Sequence, residues 1–258
     1  MSGSRVQAWL SGERPRLLWI DFDRYARRVF AGSEADWHRS AAQQAAMLVQ
    51  AHRVVPSEVV ALGLWEPLLR ASAPDADAAQ ALEGDRGRLF LAELVDATVH
   101  HLGERVDLVL RLPAPEDIVL GARRGPGAPG FDELDDAMLG VTALLRSLSG
   151  KPIAGLVVDC AGRDLHGDEL EALDSVAAAA RHYGWFVAVA SPAAAPPAPW
   201  CAVRLDAERA PGAGQGGGLG RAFWSNAVPP PPIGLLYGEV PDEVSPEEVV
   251  RAVARLTR

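Results

Sequence analysis

Acidic residues follow several apolar runs in this sequence, and their carboxyl groups are the side chains best suited to chemistry. Asp21 and Asp23 come directly after the apolar residues 17–20, and Asp159 follows the apolar residues 153–158. Carboxyl groups gathered in one place repel one another, so one of them can hold a proton for acid–base catalysis at neutral pH. We therefore predict Asp21, Asp23 and Asp159 as catalytic residues.

Other polar and aromatic side chains that end or follow the apolar runs could contact a substrate. A guanidinium group suits a bidentate contact with a carboxylate, and an aromatic ring can stack on a planar or sugar-like ligand. The predicted substrate-binding residues are Arg24, Glu66, Arg111, Asp206, Trp224, Tyr237 and Glu239.

Metal sites are the alternative use of these side chains. Cys160 and His166 could share zinc with Cys201, but Cys201 begins an apolar run whereas Cys160 follows one, and tetrahedral ligands must converge. Carboxylate oxygens suit Mg²⁺ or Mn²⁺ better. The candidate oxygen ligands are Asp21, Asp23, Asp159 and Glu239. We predict no assigned metal ligands and no cofactor, with zinc or Mg²⁺/Mn²⁺ as alternatives.

The apolar runs themselves predict parallel β-strands. They are continuously apolar rather than alternating, as strands covered on both faces are. Predicted strands cover residues 17–20, 59–64, 106–112, 153–158, 185–190, 201–205, 221–224 and 233–237, with helices between most of them. Catalytic residues of a (β/α)8 barrel come from the carboxyl ends of its strands, where the acids named above fall.

The fold class follows from the number of these units and the length of the chain. A length of 258 residues is typical of one barrel. An open doubly wound sheet is the alternative, but no Gly-x-Gly-x-x-Gly follows the first strand. We predict an α/β fold, a single (β/α)8 TIM-type barrel domain over residues 1–258, with residues 1–14 as a loose N-terminal extension.

Local signals refine this prediction. Ser33 to Asp36 has the pattern of a helix start, and Ser245-Pro246-Glu247-Glu248 has the pattern of a capping box with proline at the first helical position. The glycine-rich residues 121–130 and 211–220 are hypothesised to close over a bound substrate.

Composition limits the partners and the compartment. The net charge of −9 argues against nucleic-acid and anionic-membrane binding, and 48% hydrophobic residues suffice for a large core. Two cysteines cannot build a disulfide framework, and no apolar run has the length of a membrane span. We expect a cytoplasmic protein, a small-molecule partner and a possible homodimer.

Three patches resemble the superfamily that joins uroporphyrinogen decarboxylase with cobalamin-independent methionine synthase. Residues 109–115 are similar to the Leu-Pro-Gly-Pro turn after the third strand of methionine-synthase barrels. Residues 157–159 resemble a strand that ends in Ile-Asp-Glu-Pro, and residues 234–241 with 245–249 are similar to the closing strand and last helix of both families. The resemblance implies a barrel whose mouth binds a carboxylate-rich substrate or a methyl donor, with Asp159 as a substrate-site acid.

The chain also departs from both branches. No cysteine follows Cys201 to complete the zinc site of the synthases, and acids precede Arg24-Tyr25, where the decarboxylases carry an arginine-rich segment. We therefore expect a divergent, compact relative.

The resulting functional hypothesis is a cofactor-independent, decarboxylase- or lyase-like enzyme that acts on a small carboxylated metabolite. Arg24 and Arg111 would bind the carboxylate, and Asp21 or Asp23 would be the acid or base. The alternatives are a methyltransferase of the methionine synthase-like branch, a Mg²⁺- or Mn²⁺-dependent hydrolase or isomerase, and a non-catalytic barrel that serves as a partner in a biosynthetic pathway.

Overall fold

The computed structural model describes residues 4–30, 40–71, 78–122, 127–191, 198–207, 217–225, 227–230 and 234–256. The predicted helix start at Ser33 lies outside these residues, as do residues 123–126 and 211–216 of the glycine-rich segments. Closure of these segments over a substrate stays a prediction.

Strands and helices alternate along most of the described chain. The strands are β1 (Arg16–Asp21), β2 (Val59–Gly63), β3 (Asp107–Pro113), β4 (Gly155–Asp159), β5 (Phe186–Ala190), β6 (Val203–Leu205), β7 (Gly217–Gly218) and β8 (Gly234–Glu239). The helices are α1 (Arg5–Leu10), α2 (Asp23–Phe30), α3 (Ala41–Val54), α4 (Trp65–Ala71), α5 (Ala78–Glu83), α6 (Asp85–Leu102), α7 (Pro115–Ala122), α8 (Phe131–Leu148), α9 (Gly167–His182), α10 (Arg221–Trp224) and α11 (Pro246–Val253).

The strands of the described residues form two sheets. One has three strands in the order β1-β8-β7, and the other has five strands in the order β2-β3-β4-β5-β6. Pairing is parallel for β1 with β8, β8 with β7, β3 with β4 and β4 with β5. The predicted α/β class is confirmed, and every pair is a neighbour pair of a (β/α)8 barrel. These described strands are not hydrogen-bonded into one closed ring.

The chain divides into two compact units, which are described separately. Unit 1 comprises residues 1–61, 97–108 and 205–258, and unit 2 comprises residues 62–96 and 109–204. The single-domain assignment stays a prediction.

In unit 1, the first and last strands of the chain lie side by side. β1 and β8 pair in register from Arg16 opposite Gly234 to Asp21 opposite Glu239. On the other edge of β1, Glu58 satisfies both backbone polar groups of Leu18. The Leu18 N–H donates to Glu58 Oε2 at 2.9 Å, and the Glu58 N–H donates to the Leu18 carbonyl at 2.8 Å. A side chain thus takes the place of one rung of a strand ladder.

Among the described residues, the amino-terminal segment contains helix α1, and the expected loose extension over residues 1–14 stays a prediction. Helix α1 is held by Asp107, which is 6% exposed. The Ser4 hydroxyl donates to Asp107 Oδ2 at 2.6 Å, and the Val6 N–H donates to the same oxygen at 2.8 Å. The buried carboxylate therefore satisfies donors at the start of the helix that have no intrahelical acceptor.

In unit 2, three parallel strands end at one level. Pro113 of β3 is opposite Asp159 of β4, which is opposite Ala190 of β5. Gly155 begins β4 where a side chain would not fit, since a Cβ there would lie 2.6 Å from the Phe186 ring. The apolar runs thus bring the ends of separate strands to one edge, as predicted.

The seventh predicted strand is wrong. Residues 221–224 form the short helix α10, and the strand is Gly217–Gly218. The Phe223 N–H bonds back to the Gly220 carbonyl at 3.0 Å, which turns the chain, and both Phe223 and Trp224 are buried. A run of apolar residues this short fits either a strand or one buried helical turn.

Candidate functional site

Two carboxyl groups lie next to each other at the carboxyl ends of β1 and β8 in unit 1. Asp21 and Glu239 are register partners, and the Val240 N–H donates to the Asp21 carbonyl at 3.0 Å. Neighbouring strands lie about 4.8 Å apart, so the two Cα atoms are close. Asp21 is 9% exposed and Glu239 is half-buried. We call Asp21 and Glu239 the carboxylate pair.

The residues before this pair show that both carboxyl groups are on the same face of the strands. Trp19 and Tyr237 are also register partners, and their rings meet edge to face with centroids 6.0 Å apart. Side chains two residues apart on a strand share a face. The carboxylate pair therefore lies next to Trp19 and Tyr237 on the same face, towards the carboxyl ends of the strands.

The carboxylate pair has further polar contacts within unit 1. The Tyr237 hydroxyl donates to Glu239 Oε1 at 3.1 Å, and the Asp23 N–H donates to Asp21 Oδ1 at 3.1 Å. Arg27, one helical turn further along α2, pairs with Asp23 Oδ2 at 2.8 Å. The structure thus groups Asp21, Asp23, Tyr237 and Glu239, and the cation paired with Asp23 is Arg27, four residues later in the chain.

Three other predicted residues of unit 1 differ in exposure, and their predicted roles stay predictions. Arg24 is exposed on α2, and the cation that pairs with Asp23 is Arg27. Asp206 is half-buried after β6. Trp224 is fully buried in α10, and its Nε1 has no hydrogen-bond partner, so its ring presents no exposed face on which a ligand could stack.

In unit 2, the predicted residues Arg111 and Asp159 are brought together. Arg111 Nε lies 3.7 Å from Asp159 Oδ2, and Asp159 Oδ1 accepts the Ala161 N–H at 3.0 Å. The third predicted residue of this unit, Glu66, pairs with Arg70 one turn later on α4 at 2.7 Å and is half-buried. The roles predicted for these residues stay predictions.

The turn after β4 contains a strained residue. Ala161 has φ of 49° and Gly162 has φ of 84°, and the Arg163 N–H bonds to the Cys160 carbonyl at 3.0 Å. Consecutive positive φ values are typical of a type I′ turn, and alanine adopts them at a cost. The hydrogen bond from the Ala161 N–H to Asp159 helps to hold this conformation.

This turn delivers Arg163 into a cluster of acids that the sequence analysis did not foresee. Arg163 bonds Glu169 through both guanidinium Nη atoms, at 2.7 and 2.8 Å, and lies 3.4 Å from Asp117 Oδ2 and 3.5 Å from Glu116 Oε2. Glu169 is fully buried and also accepts the backbone N–H groups of Glu116 and His166. The one sequence signal for it was its place three residues after the helix cap.

We call Arg163, Glu116, Asp117 and Glu169 the Arg163 cluster. Burial and neighbouring charges shift the pKa values of three of its members. Burial alone would raise the pKa of Glu169, but the bonds from Arg163 and the two backbone N–H groups lower it overall. Burial raises the pKa of Asp117, and the neighbouring Glu169 and Glu116 raise it further despite Arg163. The hydrogen bonds to Glu169 raise the pKa of Arg163.

Metal-ligand spacing occurs at one place among the described residues. One ligand atom each from Glu116, His166 and Glu169 lie within 4.8 Å of one another. Both oxygens of Glu169 already accept hydrogen bonds from Arg163, so a cation would have to displace that guanidinium. The donor set therefore fits a structural ion pair better than a metal centre.

The cysteines do not favour the zinc alternative. Cys160 is fully buried, and burial, followed by the charge of Asp159, raises the pKa of its thiol to about 12. Burial also raises the pKa of Cys201, whose thiol donates to the Val203 carbonyl. Zinc binds the thiolate form, which both environments disfavour.

Comparisons with known proteins found solved structures that resemble this chain. No protein-family model and no curated protein sequence matches the chain. A GH20 catalytic module of the pneumococcal exo-β-D-N-acetylglucosaminidase StrH is 13% identical, with a TM-score of 0.49 over 96% of this chain and 83% of that one. An endo-β-N-acetylglucosaminidase from Cordyceps militaris is 12% identical, with a TM-score of 0.39 over 78% of this chain and 81% of that one. These identities transfer no residue role to this chain.

The expected membership of the uroporphyrinogen decarboxylase and methionine synthase superfamily is wrong. No family model matches, and the two similar structures are N-acetylglucosaminidases. The decarboxylase-, lyase- and methyltransferase-like activities, which rested on that resemblance, are corrected with it. The short patches misled because strand–turn–helix geometry alone produces them.

The described helices can be examined for membrane-spanning segments. In the part of the chain that the structure covers, no helix combines the length and the apolar character needed to cross a bilayer.

Proposed function

We propose that this protein is a glycoside hydrolase that cleaves a glycosidic bond with the side chains of Asp21 and Glu239. The observation that carries the proposal is their register: the two acids are opposite one another at the carboxyl ends of adjacent parallel strands. In α/β barrels this end of the strands holds the reacting groups.

Two neighbouring carboxyl groups supply the chemistry that this reaction needs. One carboxylic acid protonates the oxygen of the leaving sugar. The other group either attacks the anomeric carbon, which forms a glycosyl ester that water then hydrolyses, or activates water to attack that carbon directly. Carboxyl groups about 5 Å apart are typical of enzymes that form a covalent intermediate and retain the anomeric configuration. The strands that carry Asp21 and Glu239 are neighbours about 4.8 Å apart, so both side chains can reach the same glycosidic bond. No metal or cofactor takes part in these steps.

The surroundings of the pair support distinct roles for its members. The Asp23 N–H fixes one oxygen of Asp21, and the ion pair with Arg27 in turn holds Asp23. Glu239, which is one methylene longer and half-buried, faces the Tyr237 hydroxyl. We assign Asp21 as the nucleophile or base, because it is the more rigidly held, and Glu239 as the general acid.

The first test is hydrolysis of a panel of aryl glycosides by the full chain. The two similar enzymes are named for N-acetylglucosaminides, so aryl β-N-acetylglucosaminides head the panel, followed by neutral aryl hexosides. Asp21→Asn and Glu239→Gln keep the shapes of the side chains. Each should lower kcat on the order of 100-fold or more, as the loss of a general acid or nucleophile does.

Matched controls come from the same stretch of chain. Asp242 and Glu243 are exposed, so Asp242→Asn and Glu243→Gln should keep full activity. Circular dichroism and thermal unfolding would verify that all four variants fold. A wild-type chain inactive on the whole panel, or active Asp21→Asn and Glu239→Gln variants, would overturn the proposal.

A further inference from the structure

The proposed function assigns no task in the reaction to the side chain of Tyr237. Its hydroxyl donates to Oε1 of Glu239 at 3.1 Å, although tyrosine at a strand end was expected to touch substrate. We infer that Tyr237 is a positioning residue for Glu239, an inference that rests on the proposed glycoside hydrolysis. The phenol fixes one carboxyl oxygen so that the other is presented to the glycosidic oxygen.

The phenol is itself held rigidly. Tyr237 is 5% exposed, so bulk water competes little for its hydroxyl. Its ring meets the edge of Trp19 at an interplanar angle of 89°, and Trp19 is 1% exposed. Because the Tyr237 ring is fixed by packing, its hydroxyl has a fixed position. The hydrogen bond from that hydroxyl therefore restricts the orientation of the Glu239 carboxyl group.

Glu239 needs such an anchor more than Asp21 does. A glutamate side chain has an additional rotatable bond, and its free rotation would cost conformational entropy at each turnover. Alignment of a reacting group before the substrate arrives lowers the barrier of the chemical step. The contact should therefore act on kcat rather than on the binding of substrate.

A phenol also suits a group whose proton comes and goes. A tyrosine hydroxyl can donate a hydrogen bond to a carboxylate and can accept one from a carboxylic acid. The contact between Tyr237 and Glu239 is therefore possible in both states that a general acid passes through. A serine or lysine at this distance would not combine that versatility with a ring packed on Trp19.

The decisive variant is Tyr237→Phe, which removes the hydroxyl and keeps the ring against Trp19. We expect kcat to fall about 10-fold, as the loss of a hydrogen bond to a charged group does, with KM unchanged. Tyr183→Phe is the matched control, because Tyr183 is a half-buried tyrosine of unit 2 outside the carboxylate pair, and it should keep wild-type kinetics. Unchanged kcat in Tyr237→Phe would overturn the inference.

A double-mutant cycle separates a positioning role from a structural one. In a protein that already carries Glu239→Gln, Tyr237→Phe should lower kcat little further. In a protein that carries Asp21→Asn, Tyr237→Phe should lower kcat by about the same factor as in the wild type. An aryl glycoside with a good leaving group keeps the residual rates measurable. A full additional loss in Glu239→Gln, or a KM that rises together with a lower Tm, would show a structural role instead.

The same data distinguish the two proposals. If Glu239→Gln abolishes activity but Tyr237→Phe has the activity of the wild type, only the role inferred for Tyr237 is wrong. If Glu239→Gln and Asp21→Asn are both fully active, the proposed function is wrong and the role of Tyr237 falls with it.

Discussion

Arg163 holds the fully buried carboxylate of Glu169 with two hydrogen bonds, at 2.7 and 2.8 Å. Backbone N–H groups of Glu116 and His166 bond the same two oxygens at 3.1 and 3.2 Å. Glu169 thus links the turn after β4, the start of α7 and the start of α9. Among the described residues of unit 2, Glu169 is the one buried acid, and it joins three separate segments of the chain.

Removing the charge of Glu169 should therefore destabilise the protein. Glu169→Gln leaves Arg163 partly buried without its main partner, and we expect the free energy of unfolding to fall by roughly 3 kcal/mol. Glu171→Gln, on the exposed side of the same helix, should change it by less than about 0.5 kcal/mol. Urea denaturation of both variants measures the difference, and equal midpoints would contradict the assigned role.

Acid should weaken the fold through the same residue. The pKa of Glu169 is lowered, so the unfolded chain binds more protons, and the stabilisation is lost as pH falls below the ordinary glutamate value of 4.5. The raised pKa of Asp117 acts with the opposite sign and favours the folded state at low pH. Unfolding free energies measured from about pH 7 to pH 3 should fall more steeply for the wild type than for Glu169→Gln. Parallel curves would show that another group dominates.

Relieving the strained turn should stabilise the protein. Ala161 has φ of 49°, which glycine adopts without steric cost, so Ala161→Gly should gain about 0.5 kcal/mol after the extra entropy of the unfolded chain is subtracted. Ala178→Gly, at an exposed position within α9, should instead lose about 1 kcal/mol. Opposite shifts of Tm would verify the turn, whereas a loss in both variants would contradict it.

The start of β4 should not tolerate a methyl group. A Cβ on Gly155 would meet the Phe186 ring at 2.6 Å, so Gly155→Ala should cost about 2 kcal/mol by overpacking. Gly150→Ala is the control, since nothing lies within 4 Å of a Cβ there. Combining Gly155→Ala with Phe186→Leu should recover part of the loss in thermal unfolding. No recovery would mean that the clash is not with Phe186.

Asp107 should decide whether the amino-terminal segment stays docked. Asp107→Ala removes the acceptor of Ser4 and Val6, and we expect proteases to cut within residues 5–14 faster than in the wild type. Asp96→Ala, which removes an exposed partner of Lys151, should leave the cutting rate unchanged. Equal rates in Asp107→Ala would show that other contacts hold α1.

Most of the strands could be predicted because their sequence signals depend on residues that are adjacent in the chain. A run such as residues 17–20 is buried on both faces and ends where charge begins, and the observed β1 extends it by one residue at each end, Arg16–Asp21. The capping box at Ser245 is also observed, since its hydroxyl accepts the Glu248 N–H at 3.3 Å. Such signals lie within a few residues of the feature that they specify.

The Arg163 cluster could not be predicted for the opposite reason. Its members come from the start of α7, the turn after β4 and the first turn of α9, and only the folded chain brings them together. The wrong family assignment has a related cause. Proline after a strand and Ser-Pro-Glu before a helix are demanded by local geometry, so they recur in unrelated parallel α/β folds and carry little information about ancestry or activity.

The pairing of β1 with β8 has a consequence for the synthesis of the protein. β1 leaves the ribosome before its partner strand, which is translated more than two hundred residues later. Until then the nascent chain must keep an apolar strand edge unpaired, and closing so long a loop slows folding. A polypeptide released before residue 234 contains Asp21 but never acquires Glu239 beside it. Unit 1 therefore completes its folding only after synthesis has passed β8, and a chaperone that shields β1 during that interval should raise the yield of folded protein.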